Sequence, residues 1–163
     1  MSDATTDRTD EWDRLRAKHL APRAERPATI GRGVHHVALL CTDVERTIEF
    51  YQGVLGFPLT ELFQNRDYEG STHFFFDIGN GNALAFFDFP GLGLGDYAEV
   101  LGGLHHLALS VAPDAWDEKK AALEAAGIET HQVETSLYFS DPDGARIEII
   151  KDPLGEMYGN PVM

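Results

Sequence analysis

The chain has 163 residues, is 43% hydrophobic and 25% charged, and carries a formal net charge of −14, a size and composition that fit one compact domain or two small modules sharing a core. So acidic a chain repels phosphate backbones and anionic membranes, which excludes nucleic-acid and lipid-surface roles, and no apolar run reaches the length of a membrane span. Cys41 is the only cysteine, which excludes an intrachain disulfide or a cysteine-built zinc cage and, with a polar start lacking a signal-peptide core, fits a reducing cytoplasm.

Residues 1–30 hold six acids and six bases, so the later residues carry the whole charge excess, as 21 acids against 7 bases. Trp12, Leu15 and Leu20 define one short helical stripe ending before Pro22, which reads as an N-terminal arm or a solvated tail. GVHHVALL at 33–40 alternates as a strand. A helix follows, with Thr42 and Glu45 as a capping box and Val44, Ile48, Tyr51 and Leu55 as its apolar face before Gly56. A further strand is expected near Leu59–Phe63, then a hairpin over 73–90 turning at Gly79-Asn80-Gly81.

After a glycine-rich linker, 91–102, the pattern returns. GLHHLALS at 103–110 repeats the first strand at an offset of 70 residues, with both histidines in register. Asp114 is the expected N-cap of a helix carrying Trp116, Ala122, Leu123 and Ala126, closed by Gly127. A strand near Glu129–Glu134 and a hairpin over 136–153, turning at Asp141-Pro142-Asp143-Gly144, complete the second copy. The organisation is therefore an arm or tail over 1–30, one βαβββ module over 31–90, the linker, a second βαβββ module over 103–153 and a C-terminal tail over 154–163. A module of about 60 residues is marginal alone, so the two must bury surface together.

Strand alternation sorts the side chains. Val37, Leu39, Leu107 and Leu109 are bulky enough to pack on a helix, which leaves His36 and His106 on the opposite faces beside small neighbours. Glu148 stands between Ile147 and Ile149, and a carboxylate inside an apolar strand is costly unless it is paired or bound to a cation. Two imidazoles and one carboxylate at repeat-related strand positions suit a divalent ion with open coordination positions. A register slip of one residue would put His35 and His105 in their place.

Paired βαβββ modules that open on an HHVAL-type strand and end in a DPDGxxIE hairpin resemble the vicinal oxygen chelate superfamily, which includes glyoxalase I, bleomycin- and fosfomycin-resistance proteins and type I extradiol dioxygenases. The resemblance, over residues 33–153, implies an α+β fold in which two βαβββ modules form a glyoxalase-like open barrel around a metal site. It favours His36, His106 and Glu148 as the metal ligands. Four-ligand members carry Glu or Gln where the repeat places Ala85, so a three-ligand site is expected, with Fe(II) or Mn(II) as the metal and Zn(II), Ni(II) or Co(II) as further candidates.

The segment from His131 to Glu148 is similar to the type I extradiol signature, which implies His131 as an acid–base residue and Tyr138 as a hydrogen-bond donor. The histidine that ring-cleaving relatives carry shortly before the second ligand strand is missing, and only His73 stands near enough in sequence to enter from a neighbouring strand. A phosphonate pocket wants clustered Lys and Arg, which the modules lack, whereas the phenylalanines of 74–89 suit a neutral aromatic chelator. The expected function is metal-dependent chemistry on a small chelating substrate, best matched by an extradiol-type dioxygenase working as a homodimer. A glyoxalase-like lyase or isomerase, or a thiol transferase, is the alternative within the family. A non-catalytic drug-binding protein would suit the acidic charge but not the metal triad.

Overall fold

The computed structural model describes residues 7–163, so the first six residues of the expected arm lie outside the described residues. Contacts divide the chain between Gly33 and Val34. Ahead of that boundary lies helix α1 (Thr9–His19), with Asp10 and Glu11 in its first turn and Arg16, Lys18 and His19 in its last, the polarity the helix dipole favours. Ion pairs Arg8–Glu11 and Arg16–Asp13 bridge successive turns, and none of its residues is buried.

Beyond the boundary the repeat folds twice in the same way. Strand β1 (His36–Cys41) leads through α2 (Val44–Ile48) to β2 (Leu59–Gln64), β3 (Thr72–Asp77) and β4 (Ala83–Asp88). Strand β5 (Leu107–Ser110) leads through α3 (Pro113–Ala125) to β6 (Thr130–Val133), β7 (Ser136–Ser140) and β8 (Arg146–Ile150). The sheet orders are β1-β4-β3-β2 and β5-β8-β7-β6, with the first strand of each module parallel to its last and the hairpins antiparallel. A helical crossover is what permits that parallel pairing. The fold is α+β, built of twin βαβββ modules whose sheets stay open at their edges. A short hairpin, β9 (Glu156–Met157) with β10 (Asn160–Pro161), ends the chain.

The first hairpin turn has positive φ at Gly79, Asn80 and Gly81 (87°, 54° and 72°), which only Gly and Asn adopt readily. In the second, the Asp141 carboxylate accepts from the backbone N–H groups of Asp143 and Ala145, and Gly144 takes φ 88°. Both helix starts differ from expectation. Asp43 caps α2 by accepting from the Arg46 N–H, because Thr42 is engaged by Asp143 through both its N–H and its hydroxyl. Helix α3 begins at Pro113, whose fixed φ suits a first helical position, so its N-cap is Ala112 and Asp114 falls inside the first turn.

One core serves both modules. Phe74, Phe76, Leu84 and Phe86 from the first sheet, Leu137, Ile147 and Ile149 from the second, and Tyr51, Leu55, Trp116 and Leu123 from the helices form a single buried cluster. Val37 and Leu39 pack against it, so alternation turns His36, Ala38 and Leu40 outward. Both histidine-bearing faces therefore point away from the shared core. Among the described residues no helix is long and apolar enough to cross a membrane.

Candidate metal centre

The second module builds a two-donor site. Strands β5 and β8 run parallel with Ala108 opposite Glu148, which sets His106, just ahead of β5, beside that carboxylate. His106 Nε2 lies 3.1 Å from Glu148 Oε2. Glu148 is only 4% exposed, so its carboxylate has lost most of its water and needs a positive partner. A ring-nitrogen lone pair facing a carboxylate oxygen is repulsive unless a proton or a cation lies between them. That donor set fits a divalent ion.

The neighbouring histidine bears on which ring nitrogen is available for a ligand. His105 Nδ1 and His106 Nδ1 face each other at 2.6 Å. If His106 keeps its Nε2 lone pair for a ligand, its Nδ1 carries the proton and donates to His105 Nδ1. His105 then carries its own proton on Nε2, and that nitrogen lies 3.6 Å from the Glu99 carboxylate. In that tautomer the His105–His106 contact holds His106 with Nε2 turned to Glu148. The first module repeats the pair, with His35 Nδ1 and His36 Nδ1 2.8 Å apart on the strand's outward end.

His36 does not join the other two within one chain. It is exposed, and among the described residues no three His, Cys, Asp or Glu side chains converge. Ala85, at the repeat position of Glu148, is fully buried in β4 and offers no donor. Tyr138 lies opposite Glu148 in the β7–β8 register, and its ring meets His106 edge-on at 5.9 Å. Burial, followed by the Glu148 charge, raises the pKa of the Tyr138 phenol, so the hydroxyl stays protonated and able to donate near neutral pH. His131 lies opposite Tyr138 in the β6–β7 register. A cleft of about 620 Å³ is lined by His105, His106, His131, Tyr138 and Arg146 among others.

Sequence reasoning missed three residues around this site. Arg146 lines the cleft and pairs with Glu99 at 2.7 Å. Its signal was available, since it stands two residues before Glu148 on the same strand face. Glu99 and Tyr97 lie in the glycine-rich linker, where no periodicity marks them. Tyr97 nevertheless anchors the linker to the ligand strand by donating its hydroxyl to the carbonyls of Leu104 and His105.

Residues 33–149 match the model of the Glyoxalase/Bleomycin resistance protein/Dioxygenase superfamily, and the chain belongs to that superfamily. It is 29% identical over 139 residues to a Bacillus subtilis (strain 168) protein named "Putative ring-cleaving dioxygenase MhqA", a match covering 80% of this chain and 43% of that protein. The chain thus spans less than half the length of that relative. It is 25% identical over 131 residues to the metallothiol transferase FosB of Lysinibacillus sphaericus (strain C3-41), covering 72% of this chain and 80% of that one. Its fold matches a mutant of the Listeria monocytogenes fosfomycin resistance protein FosX, complexed with Mn(II) and 1S,2S-dihydroxypropylphosphonic acid, with a TM-score of 0.56, 22% identity and coverage of 76% and 94%.

Proposed function

We propose that this chain is a divalent-metal enzyme of the vicinal oxygen chelate type, with Fe(II) or Mn(II) as its metal and oxygen-dependent cleavage of a small aromatic diol as its reaction. The observation that carries this reading is the convergence of His106 Nε2 on the buried Glu148 carboxylate, with a repeat-equivalent histidine, His36, on the first sheet. Likeness to a protein named as ring-cleaving supports it, and the fold is shared with a family member solved with Mn(II). His36, His106 and Glu148 would hold the ion. Held there, a divalent ion would supply Lewis acidity that lowers the pKa of a chelating diol. The protonated Tyr138 hydroxyl donates a hydrogen bond to a substrate oxygen, and His131 across the strand accepts a proton from the diol.

Because His36 stands apart from His106 and Glu148 in one chain, we assign the complete site to a homodimer in which the first module of one copy faces the second module of the other. Mixing His36→Ala and His106→Ala chains separates the arrangements. Paired across copies, a mixed dimer regains one intact site, and random mixing restores about one quarter of the wild-type metal content. Paired within one chain, it restores none.

The function itself is tested by anaerobic purification, metal analysis and oxygen uptake with a panel of catechols. One divalent ion per chain and catechol-dependent oxygen consumption are expected, and Glu148→Gln should lose most of the metal while staying folded. An iron-loaded protein that consumes no oxygen with any catechol but turns over a thiol adduct or an epoxide anaerobically would replace this reading with a lyase or transferase.

A further inference from the structure

The outward face of the first sheet carries an unsatisfied imidazole among aromatic rings. His73 on β3 stacks on Phe87 of β4, with ring centroids 3.8 Å apart and planes 20° apart. Phe75 lies 4.3 Å away on its own strand, and Phe63 of β2 meets it edge-on at 5.4 Å. Its Nε2 is closed off from solvent and has no hydrogen-bond partner. A buried polar atom without a partner costs about 1–3 kcal/mol, and native structures tolerate few that are not satisfied in some bound state.

The same wall reaches the proposed metal ligand. Phe75 touches His36 on its other side, at 6.2 Å between ring centroids, so one aromatic ring separates His73 from His36. Strand alternation keeps Ala83 and Ala85 on that face opposite His36 and Ala38, which leaves the wall low beside the histidine. Phe63, on the edge strand, is 45% exposed and the freest of the rings against the imidazole.

We propose that this face is the ring-binding half of the active site: a hydroxylated aromatic ring seats on Phe75 and Phe87 in place of the Phe63 side chain and forms a hydrogen bond between its hydroxyl and His73 Nε2. The chemistry of the wall selects that class. Flat rings offer stacking partners, and a hydroxyl satisfies either tautomer of a neutral imidazole because it both donates and accepts. Neither Lys nor Arg lies among the strand residues of this face, so nothing on it calls for an anionic group. That the seated ring belongs to the substrate of the metal site rests on the function proposed above. The ring subsite itself does not need the metal.

The test therefore uses full-length, EDTA-treated protein. p-Cresol and p-xylene differ by one hydroxyl in place of one methyl, and binding of each is followed by NMR titration of the aromatic and imidazole resonances. Wild type is expected to prefer p-cresol by about tenfold, although p-xylene is the more apolar, and to shift the His73 Nε2 resonance on p-cresol binding. His73→Phe should abolish the preference while leaving p-xylene binding unchanged. Phe63→Ala should tighten p-cresol binding, and it serves as the independent variant if His73→Phe does not fold. Equal affinities in wild type, no saturable binding of p-cresol, or a His73→Phe variant that weakens both ligands alike would overturn the proposal. Loss of metal binding with an intact cresol preference would instead fail the metal reading alone.

Discussion

His105 and His35 each meet the following histidine Nδ1 to Nδ1, and His106 turns its Nε2 to Glu148. A ligand histidine held in this way loses little freedom when it binds an ion, and removing such a partner usually costs about 10–100-fold in metal affinity. His105→Phe is accordingly expected to raise the metal dissociation constant by about that factor while leaving the fold intact, measured by competition with a chromophoric chelator. Unchanged affinity would show that the pair orients nothing. Tyr138→Phe should lower kcat by about tenfold or more with little change in KM, since the protonated phenol is assigned a role in turnover and not in substrate binding. The nearness of His106 to Glu148 was legible in the sequence from period-two alternation and the repeat, whereas the separation of His36 from both within one chain was not. The Nδ1 pairs and the Glu99 contact were not legible, because they depend on side-chain rotamers and on an aperiodic linker.

At the scale of elements, the repeat allowed the βαβββ succession of both modules to be read, since copied hydrophobic patterns bury copied faces. Helix starts were harder. Thr42 and Asp114 both have cap chemistry, yet Thr42 is drawn into a contact 101 residues away and Pro113 takes the first helical position ahead of Asp114. Helix α2 also departs from a simple 3.6-residue repeat. After Ile48 it widens into a π-helical segment, Glu49–Val54, in which both Phe50 and Tyr51 are buried. An insertion of that kind follows from tertiary packing and leaves no mark in the apolar spacing. Helix α3 starts with no side-chain cap, and Ala112 already has the extended backbone (φ −58°, ψ 144°) of an N-cap. Ala112→Asp should therefore stabilise the protein by about 1 kcal/mol, a rise in Tm of about 2–4 °C in calorimetry. No rise would mean that the first turn of α3 is satisfied from elsewhere.

For the molecule as a whole, the decisive contacts are those that tie one module to the other across the shared core. Tyr51, fully buried in the first module, donates its hydroxyl to Asp141 Oδ2 in the second at 3.0 Å. Nearby, Arg46 reaches Asp143 at 3.0 Å. Burial raises the Asp141 carboxyl above its ordinary range, and burial with the Asp141 charge raises the Tyr51 phenol well above its own. Both groups therefore bind protons more tightly folded than unfolded. Their contribution to stability is complete below the unfolded pKa and is lost as pH rises, through the raised native value for Asp141 and from about pH 10 upward for Tyr51. Tyr51→Phe removes the only phenol in this pair and leaves Asp141 with its two backbone donors, Asp143 and Ala145. Urea unfolding at pH 7 should show a loss of about 1–3 kcal/mol, because a buried carboxylate has lost a hydrogen-bond donor. Above about pH 10 the difference should narrow, since wild type must keep the Tyr51 proton in the core while its unfolded state releases it, a linkage the variant no longer has. Parallel stability curves from pH 7 to pH 11 would show that the phenol is not what couples the two modules to alkaline pH.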